Sequence, residues 1–406
     1  MIKNQKFIKR KRFIVIAVAI LLMVNLFSQE NKSFLISDGS EFIAKDYFPE
    51  FSWDSTPQYF MFGDIERVLF PEEVRNISSK TNFICIEKSH GFRELGAAEL
   101  GAKREVAAFK KLKPETKVLF YFNSAYAWPF TSYNQNFTPE KINEHPELKK
   151  LLVTDPKTGN LAYRDHYIRH VYFFDVLNPD LREWWVDTVV KGMKVTGSDG
   201  VFVDQMHGFF WLRMDKKEEV LKAQGEMLAM LRKRMGKDKI LLGNNAATEI
   251  ARYVYPSIDA TMFEHHNAQL ISKENLLKEW DDMLKIARDG KMCVFRFGVG
   301  VEGNGPESGN KEEKYEAFTK LSRERLEFFL ACYLIGAQPY SYFQYGWGWD
   351  LDSGSLVDHP ELFRPLGAPK GAYKRSTPDG WEFTREFEHA NVWLDTDKRE
   401  AKITWH

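Results

Sequence analysis

Short apolar runs alternate with longer amphipathic segments along most of the chain after residue 58. Uninterrupted apolar runs are typical of strands buried on both faces, and apolar residues at helical spacing are typical of helices that pack on one side. The short runs predict strands at Tyr59–Phe62, Asn82–Ile86, Lys117–Phe122, Gly200–Val203, Lys239–Leu242, Ala260–Phe263, Lys291–Phe297 and Gln338–Phe343. The segments between them predict helices at Pro71–Ser79, Arg93–Lys111, Asn178–Val195, Lys216–Met235, Ser272–Arg288 and Lys311–Leu334.

Eight strands separated by helices predict an α/β fold, a closed (β/α)8 TIM barrel. The spacing is uneven, because a long stretch rich in Trp and Tyr, from Asn123 to Asp199, separates the third and fourth strands. An insertion at that place rises over the carboxyl ends of the strands, where barrels carry their sites. After Pro360 the pattern changes to short strands separated by turns. This change predicts a small β appendage at residues 361–406, packed on a barrel domain at residues 29–360.

The N-terminus has the layout of a secretory signal peptide. Six Lys and Arg residues between Lys3 and Arg12 precede the apolar run Phe13–Phe27, and the chain turns polar at Ser28. The run is shorter than the ~20 residues that a membrane span needs, so cleavage near Ser28 is expected and stable membrane insertion afterwards is not. The first cysteine, Cys85, lies too far away to receive a lipid. The sequence therefore predicts a signal peptide at residues 1–28 and a secreted or periplasmic protein.

Composition narrows the range of partners. Lys and Arg together number 57, as do Asp and Glu, so no overall charge favours nucleic acid. Aromatic residues make up 15% of the 406 residues, a share that suits the flat surfaces of sugar-binding clefts. The three cysteines, Cys85, Cys293 and Cys332, stand in apolar surroundings and are interpreted as packing residues. The oligomeric state stays open.

Polar or ionisable side chains stand at seven or eight of the eight predicted strand ends, and two of them are carboxylates that end purely apolar runs. Asp204 follows the fourth strand and Glu264 the sixth. Two opposed carboxylates suit the cleavage of a glycosidic bond, in which one protonates the leaving oxygen while the other attacks the anomeric carbon or activates water. We assign Asp204 as nucleophile and Glu264 as general acid/base. The alternatives are a helix cap at Asp204 and an ion-paired structural acid at Glu264, next to His265 and His266.

The remaining residues at strand ends, with aromatic residues of the loops, are candidates for sugar binding. They are Asp64, Glu87, Asn123, Trp128, His207, Trp211, Asn244, His265, Arg296, Gln344 and Trp347. Arg296 would suit a carboxylate or sulfate on the sugar, because a guanidinium pairs with such groups through two parallel hydrogen bonds. The substrate is therefore expected to be a carbohydrate, with an anionic glycan as one form of it.

Other chemistries find weaker support. The pair His265-His266 lacks the spacing of a metal site, so neither a metal nor a cofactor is expected. The glycine-rich segment from Gly298 to Gly305 lacks both the GxGxxG spacing and the Lys-Ser/Thr ending of phosphate loops. The chain also lacks the GxSxG motif of serine hydrolases.

The sequence resembles a group of barrel enzymes around the fourth strand. The segment DVLNPDLREWW, from Asp175 to Trp185, and the segment GSDGVFVD, from Gly197 to Asp204, resemble the run that leads into the nucleophile strand of (β/α)8 glycoside hydrolases. Melibiase-like, α-glucosidase-like and dextranase-like families share this layout with several groups of predicted glycosyl hydrolases. The resemblance implies that Asp204 is the nucleophile and that the sixth-strand Glu264 is the acid/base.

The same groups supply a second likeness at the end of the chain, and also a departure. The segment LGAPKGAY, from Leu366 to Tyr373, looks like the tail of the predicted glycosyl hydrolases. A glutamate followed by two histidines on the sixth strand departs from the pattern, so no substrate is carried over. We expect an exported glycoside hydrolase that acts on a poly- or oligosaccharide with retention of configuration. The alternatives are a non-catalytic glycan-binding protein on the same scaffold and a carbohydrate lyase, which product analysis separates.

Overall fold

The computed structural model describes residues 33–166, 170–265, 271–299 and 310–406. Its strands are β1 (Ser33–Leu35), β2 (Glu41–Ile43), β3 (Phe60–Phe62), β4 (Phe83–Ile86), β5 (Lys117–Asn123), β6 (Tyr163–Asp165), β7 (His170–Tyr172), β8 (Gly200–Asp204), β9 (Ile240–Asn244), β10 (Ala260–His265), β11 (Met292–Phe297), β12 (Ser341–Tyr345), β13 (Lys374–Arg375), β14 (Glu382–Glu386), β15 (Ala390–Asp395) and β16 (Glu400–Trp405). Its α-helices are α1 (Pro71–Lys80), α2 (Phe92–Leu95), α3 (Ala98–Leu112), α4 (Pro146–Lys149), α5 (Pro179–Thr196), α6 (Lys217–Arg234), α7 (Lys273–Arg288) and α8 (Lys311–Gly336).

Eight parallel strands form the central barrel. Their order in the sheet is β3, β4, β5, β8, β9, β10, β11 and β12, so each strand lies beside the next one of the series. The first and last strands meet at Phe343, whose N–H donates to Pro57 O at 2.8 Å and whose carbonyl accepts from Tyr59 N at 3.0 Å. The predicted (β/α)8 barrel is confirmed, and all eight predicted strands are present with ends shifted by at most three residues.

Two core layers hold the barrel together, one inside the sheet and one between the sheet and its helices. Trp185 on α5 is fully buried in the outer layer, and its indole N–H donates to Asn123 O at 2.9 Å. Close contact also requires glycine at the start of the fourth barrel strand, because a Cβ on Gly200 would lie 2.0 Å from Ile240 O. The α5 helix and the β8 strand that follows it are therefore fixed against their neighbours, which positions Asp204.

The prediction of the second helix is wrong in one respect. The segment Arg93–Lys111 was expected to be continuous, but the structure has α2 and α3 with a break at Gly96. Gly96 adopts a φ of +80°, in the left-handed region that glycine enters at little cost. The periodicity of apolar residues continues across such a break, so it does not reveal one.

The insertion after β5 contains regular structure that its sequence pattern did not predict. Strands β6 and β7 form an antiparallel hairpin, and the short helix α4 precedes it. The backbone of Val153 is bonded to both sides of the hairpin. Its N–H donates to Phe173 O and its carbonyl accepts from Ala162 N, both at 2.8 Å. Inward from the hairpin, Tyr126 packs against Phe173 and Phe209, beside the loop that follows Asp204. The insertion thus forms a wall of the barrel mouth.

The C-terminal strands β13 to β16 form a separate antiparallel sheet, as predicted. Arg385 anchors this sheet to the end of α8, because its Nη1 donates to the carbonyls of Leu334, Ile335 and Ala337 at 2.9, 3.0 and 2.6 Å. The apolar core of the C-terminal sheet is continuous with that of the barrel through residues such as Phe383. The division at residue 360 stays a prediction.

Two other predictions concern the termini and the cysteines. The expected signal peptide at residues 1–28 lies outside the described residues. Within the described part of the chain, no helix has both the length and the apolar character that are needed to cross a bilayer. Cys85, Cys293 and Cys332 are buried and form no disulfide, in line with a packing role.

Candidate active site

The pairing of the barrel strands brings five of the predicted site residues into two adjacent groups at the mouth. Asn123 on β5 lies opposite Asp204 on β8. Glu264 on β10 lies opposite Arg296 on β11, which in turn lies opposite Gln344 on β12. Partners in register on parallel strands point to the same side of the sheet, so these side chains face the barrel interior at its carboxyl end.

Four donors hold the carboxylate of Asp204. Oδ2 accepts from the Tyr121 hydroxyl at 2.9 Å and from Asn123 Nδ2 at 3.3 Å. Oδ1 accepts from Asn244 Nδ2 at 3.0 Å and from Gln205 N at 2.8 Å. Hydrogen bonds to a charged acceptor are shorter and stronger than those between neutral groups. The orientation of Asp204 is therefore fixed before any substrate arrives.

Asn244 connects the two predicted catalytic residues. Its Nδ2 donates to Asp204 Oδ1 and also to Glu264 Oε2. Two oxygens bonded to one nitrogen at these lengths are at most about 5.5 Å apart, so Asp204 Oδ1 lies close to Glu264 Oε2. Asn244 was predicted to bind sugar, and the structure instead places its amide between the two carboxylates.

The environment of Glu264 favours its protonated form. Burial raises the pKa of this carboxyl group, and the nearby charge of Asp204 raises it further. The hydrogen bond from Asn244 and the charges of Arg296 and Lys88 oppose these effects without cancelling them. A carboxyl group whose pKa is raised by burial and by a neighbouring charge suits the role of proton donor.

A second pair of charges lies beside the catalytic residues. Glu87, at the end of β4, is 6% exposed and forms an ion pair with Lys88. Burial raises the pKa of Glu87 and that of Asp350. The ammonium group of Lys88 lies 5.8 Å from the centre of the Tyr121 ring and 5.9 Å from that of Trp128. Glu87 and Trp128 were predicted to be in the site, whereas Lys88, Asp350 and Tyr121 were not.

The sequence indicates the three residues that were not predicted, Tyr121, Lys88 and Asp350, to different degrees. Tyr121 lies two residues before Asn123 on one strand, and the alternation of side chains along a strand puts both on the same face. Lys88 follows Glu87 directly, but only the course of the loop shows that its ammonium group turns into the mouth. Asp350 lies on a loop after β12, and its sequence surroundings do not indicate its position.

The loop after Asp204 has a strained backbone and carries two predicted sugar contacts, His207 and Trp211. Gln205 and Phe209 have φ values of +65° and +53°, which non-glycine residues rarely adopt. His207 Nδ1 accepts from Phe209 N at 3.1 Å, so Nε2 carries the proton of the neutral ring. Burial lowers the pKa of His207 to about 4. The ring of Trp211, 46% exposed, lies 4.3 Å from that of His207 and forms the outer edge of the site.

A buried network supports this strained loop from below. Ser124 Oγ donates to the carbonyls of Asp204 and Gln205 at 2.7 and 3.0 Å. The same hydroxyl oxygen accepts from Gln224 Nε2 on α6 at 2.9 Å. Strained backbone persists where its surroundings hold it, and both side chains of this network are fully buried.

Three predicted sugar contacts also face the interior but are bonded to groups of the protein. Arg296 is 1% exposed, its Nη2 donates to Gly348 O at 3.0 Å, and its guanidinium lies 4.2 Å from the centre of the Trp349 ring. Burial lowers the pKa of Arg296 to about 10. Gln344 Nε2 donates to Met61 O at 3.1 Å. Asn123, besides its bond to Asp204, accepts two backbone N–H groups of the following turn. A residue's place at the end of a predicted strand indicates where its side chain lies, but it does not indicate which group the side chain bonds to.

His265 points away from the mouth, contrary to the prediction. Side chains alternate along a strand, so the residue after the inward Glu264 faces the helix layer. His265 Nε2 lies 2.9 Å from Glu279 Oε2 on α7, and the ring packs between Phe295 and Phe297. The neighbouring His266 lies outside the described residues.

The last two predicted residues, Asp64 and Trp347, line a cavity of about 580 Å³ beside the mouth. Trp347 stacks on Phe318 with ring centres 5.3 Å apart. Asp64 Oδ1 accepts from Glu66 N at 2.8 Å. Asp350 also lines this cavity, and its charge acts on Glu87. The cavity therefore adjoins the catalytic residues through Asp350.

Comparison with known proteins gives a family and several similar folds. The model of a family described as hypothetical glycosyl hydrolase family 15 matches residues 110–391, more than half of the chain. A search of curated protein sequences found no match. Among solved structures, an α-amylase from Geobacillus thermoleovorans complexed with acarbose is similar at 13% identity and a TM-score of 0.49, over 85% of this chain and 87% of that one.

Two further structures have comparable scores. A variant of the glycoside hydrolase domain of PelA from Pseudomonas aeruginosa has 12% identity and a TM-score of 0.45, over 71% of this chain and 95% of that one. An α-galactosidase from Thermus thermophilus, in complex with p-nitrophenyl α-D-galactopyranoside, has 13% identity and a TM-score of 0.45, over 87% of this chain and 68% of that one.

Proposed function

The chain belongs to hypothetical glycosyl hydrolase family 15, and from that premise we propose that it cleaves a poly- or oligosaccharide with Asp204 as nucleophile and Glu264 as general acid/base. The matched range, residues 110–391, includes both carboxylates and the strands that carry them. Family membership makes the protein a glycoside hydrolase. It thereby favours hydrolysis over glycan binding without catalysis and over a lyase reaction.

The observation that carries the proposed mechanism is the shared contact with Asn244. One nitrogen that bonds both carboxylates keeps Asp204 Oδ1 and Glu264 Oε2 within about 5.5 Å of each other, which favours the short carboxyl separation of retaining enzymes, roughly 5 to 5.5 Å. Inverting enzymes need a wider gap of roughly 6.5 to 9.5 Å to place the attacking water. The geometry therefore supports a retaining reaction.

The reaction would proceed in two steps. Asp204 forms a bond to the anomeric carbon while Glu264 gives its proton to the departing glycosidic oxygen, which leaves a glycosyl ester on Asp204. Glu264, now ionised, then takes a proton from water, whose oxygen attacks the same carbon and releases Asp204. The raised pKa of Glu264 supports the first step, because an acid must hold its proton at the working pH.

The charges at the mouth favour a substrate that presents hydroxyl groups, not an anionic group, to the catalytic residues. Arg296, the residue that suggested an anionic sugar, is buried against Gly348 and Trp349. Glu87 and Asp350 add further carboxylates beside Asp204 and Glu264, and Lys88 is already ion-paired with Glu87. A uronate or sulfate here would meet like charges.

Digestion of a glycan panel tests the proposal. Wild-type protein should release new reducing ends from at least one neutral glycan, and Asp204→Asn and Glu264→Gln should lower kcat/KM by at least roughly a thousandfold. Asp187→Asn and Glu183→Gln on the exposed side of α5 are matched controls that should retain full activity. Products with an unsaturated ring would contradict hydrolysis, and full activity of either active-site variant would overturn the assignment.

Azide separates the two roles. With an activated aryl glycoside, Asp204→Ala plus azide should give a glycosyl azide of inverted configuration, because azide replaces the missing nucleophile. Glu264→Ala plus azide should give the retained configuration, because azide then attacks the glycosyl ester. The opposite pair of results would exchange the roles, and inversion by the wild type would exclude a retaining reaction.

Export is a further part of the proposal. The basic and apolar segments before Ser28 support cleavage near that residue. N-terminal sequencing of the protein recovered from its native host, together with fractionation, tests this, and an uncleaved N-terminus in the cytoplasm would contradict it.

A further inference from the structure

A cavity of about 590 Å³ opens on the insertion and has no lining residue in common with the catalytic mouth. Its volume lies within the range of pre-formed ligand sites. One side is formed by α4 and the turn before it, and the other by the β6–β7 hairpin and the turn that leads into it. The residues that line it are Ile142, Asn143, Pro146, Lys149, Lys150, Thr154, Gly159, Asn160, Leu161, Tyr163, His170 and Tyr172.

The hairpin has two faces with different neighbours. Arg164 and Val171 are paired across the hairpin, and Arg164 Nη1 donates to the Tyr126 hydroxyl at 3.0 Å, on the side of the mouth. Tyr163 and Tyr172 are the next pair in register. Because side chains alternate along each strand, these two tyrosines point to the opposite side, where they line the cavity. The cavity therefore lies behind the wall of the active site.

The lining combines an aromatic surface with hydrogen-bonding groups. Tyr163 is 49% exposed, although its ring lies only 4.2 Å from that of His170. Lys149 and Asn143 are bonded to each other at 3.1 Å on the facing wall. The residues that line this cavity include cations but no carboxylate, in contrast to the acidic mouth. Flat aromatic rings beside amide and ammonium groups match the mixed C–H and hydroxyl surface of a sugar chain.

Backbone hydrogen bonds help to hold the cavity in shape. Val153 ties both strands of the hairpin together, with two bonds of 2.8 Å. The turn that leads into the hairpin is closed by the bond from Asp155 N to Asn160 O, also at 2.8 Å. A site that is already formed loses less entropy when it binds a ligand.

We propose that this cavity is a second glycan-binding site, which holds a part of the polysaccharide chain away from the bond being cleaved. The inference rests on the proposed function for the identity of the glycan. Tyr163 supplies the stacking surface, and Lys149, Asn143 and Asn160 supply hydrogen bonds. Such a site raises the local concentration of the polymer and has no effect on a short substrate that fills only the mouth.

Binding is measured first, by affinity electrophoresis of the full-length mature protein in gels that contain the polymer it hydrolyses. Asp204→Asn serves as the background, so that the polymer is not degraded. In this Asp204→Asn background, Tyr163→Ala should weaken the retardation by the polymer on the order of tenfold. Tyr163→Phe, which keeps the ring, should bind like the background protein. Phe363→Ala removes an aromatic ring that is 42% exposed elsewhere and is the matched control.

Activity provides the second measurement, with the catalytic residues intact. Tyr163→Ala should lose activity on the polymer by about the same factor and keep full activity on an aryl glycoside or short oligosaccharide. Equal binding and an equal ratio of polymer to short-substrate activity in Tyr163→Ala and the wild type would overturn the inference. So would an equal loss on both substrates, because it would place Tyr163 in the catalytic site or in the fold.

The experiments distinguish a failure of the proposed hydrolysis from a failure of the proposed second site. A wild type that cleaves no glycan in the panel refutes hydrolysis, and retardation in each polymer gel then still reports on the cavity. A retardation that appears only with anionic polymers, disappears in high salt and is unchanged in Tyr163→Ala would assign the cavity to charge binding by its lysines and would refute the stacking role of Tyr163.

Discussion

The hydroxyl group of Tyr121 is the part of the site whose removal gives the sharpest test of how Asp204 is held. It donates to Asp204 Oδ2 at 2.9 Å and accepts from Asn123 Nδ2 at 3.0 Å. The ring itself is 5% exposed and stacks on Phe202 with centres 5.8 Å apart. Tyr121→Phe keeps that packing and deletes only the hydroxyl oxygen and its proton.

The expected loss follows from the kind of bond that is removed. A hydrogen bond to a charged acceptor contributes about 1.5 to 3 kcal/mol, which corresponds to a factor of roughly 10 to 150 in kcat/KM. Because the hydroxyl is buried, water cannot readily replace it, and Asn123 Nδ2 loses one of its two acceptors as well. The decrease should therefore fall in the upper half of that range.

The assay compares kcat/KM and the free energy of unfolding with those of a matched variant, Tyr333→Phe. Tyr333 is also fully buried, and its hydroxyl donates to Ser341 O at 2.8 Å, away from the carboxylates. In urea, Tyr333→Phe should lose about 1 kcal/mol of stability and Tyr121→Phe about 1.5 to 3 kcal/mol, but only Tyr121→Phe should lose activity. If kcat/KM of Tyr121→Phe stays within about threefold of the wild type, the hydroxyl does not position the nucleophile.

Three further changes have calculable directions. Lys88 lowers the pKa of Glu264, so Lys88→Met should move the alkaline limb of kcat/KM to higher pH, and an unchanged limb would contradict this. Glu264→Gln should raise the free energy of unfolding at pH 7, because the folded state favours the protonated acid. The gain should vanish in urea titrations below about pH 4, where Glu264 is protonated in both states, and a gain that persists there would refute the cause. Arg385→Met should cost about 2 to 4 kcal/mol in urea, since three carbonyls at the end of α8 lose their donor, whereas the exposed Lys398→Met should change stability by less than about 0.5 kcal/mol.

The barrel could be predicted from the sequence because its strands are buried on both faces. Such strands are continuous apolar runs, and the polar residue that ends each run marks the catalytic end of the sheet. Asp204 and Glu264 follow from this rule alone. The break at Gly96 and the β6–β7 hairpin do not, because one interrupts a helix without changing its periodicity and the other is mostly polar on its exposed face.

The direction and partner of each side chain set the limit on predicting the site. His265 was assigned by its closeness to Glu264 in sequence, although adjacent residues on a strand point to opposite sides. Arg296 and Gln344 do face inward, yet their bonds go to backbone carbonyls of neighbouring segments. Those carbonyls come from loops and strands distant in sequence, so only the folded chain shows them. Asn244 is the reverse case, since its contact with both carboxylates is closer to the chemistry than the sequence indicated.

The junction of the barrel at Phe343 has a consequence for how the protein is made. The first strand is joined to the last through Phe343 and its bonds to Pro57 and Tyr59, so the edge of β3 stays without its final partner until the ribosome has added almost the whole barrel. Contacts between such distant parts of a chain form slowly, and exposed strand edges favour aggregation. A nascent chain that stops before Phe343 would therefore depend on chaperones, whereas the finished chain can close its own sheet.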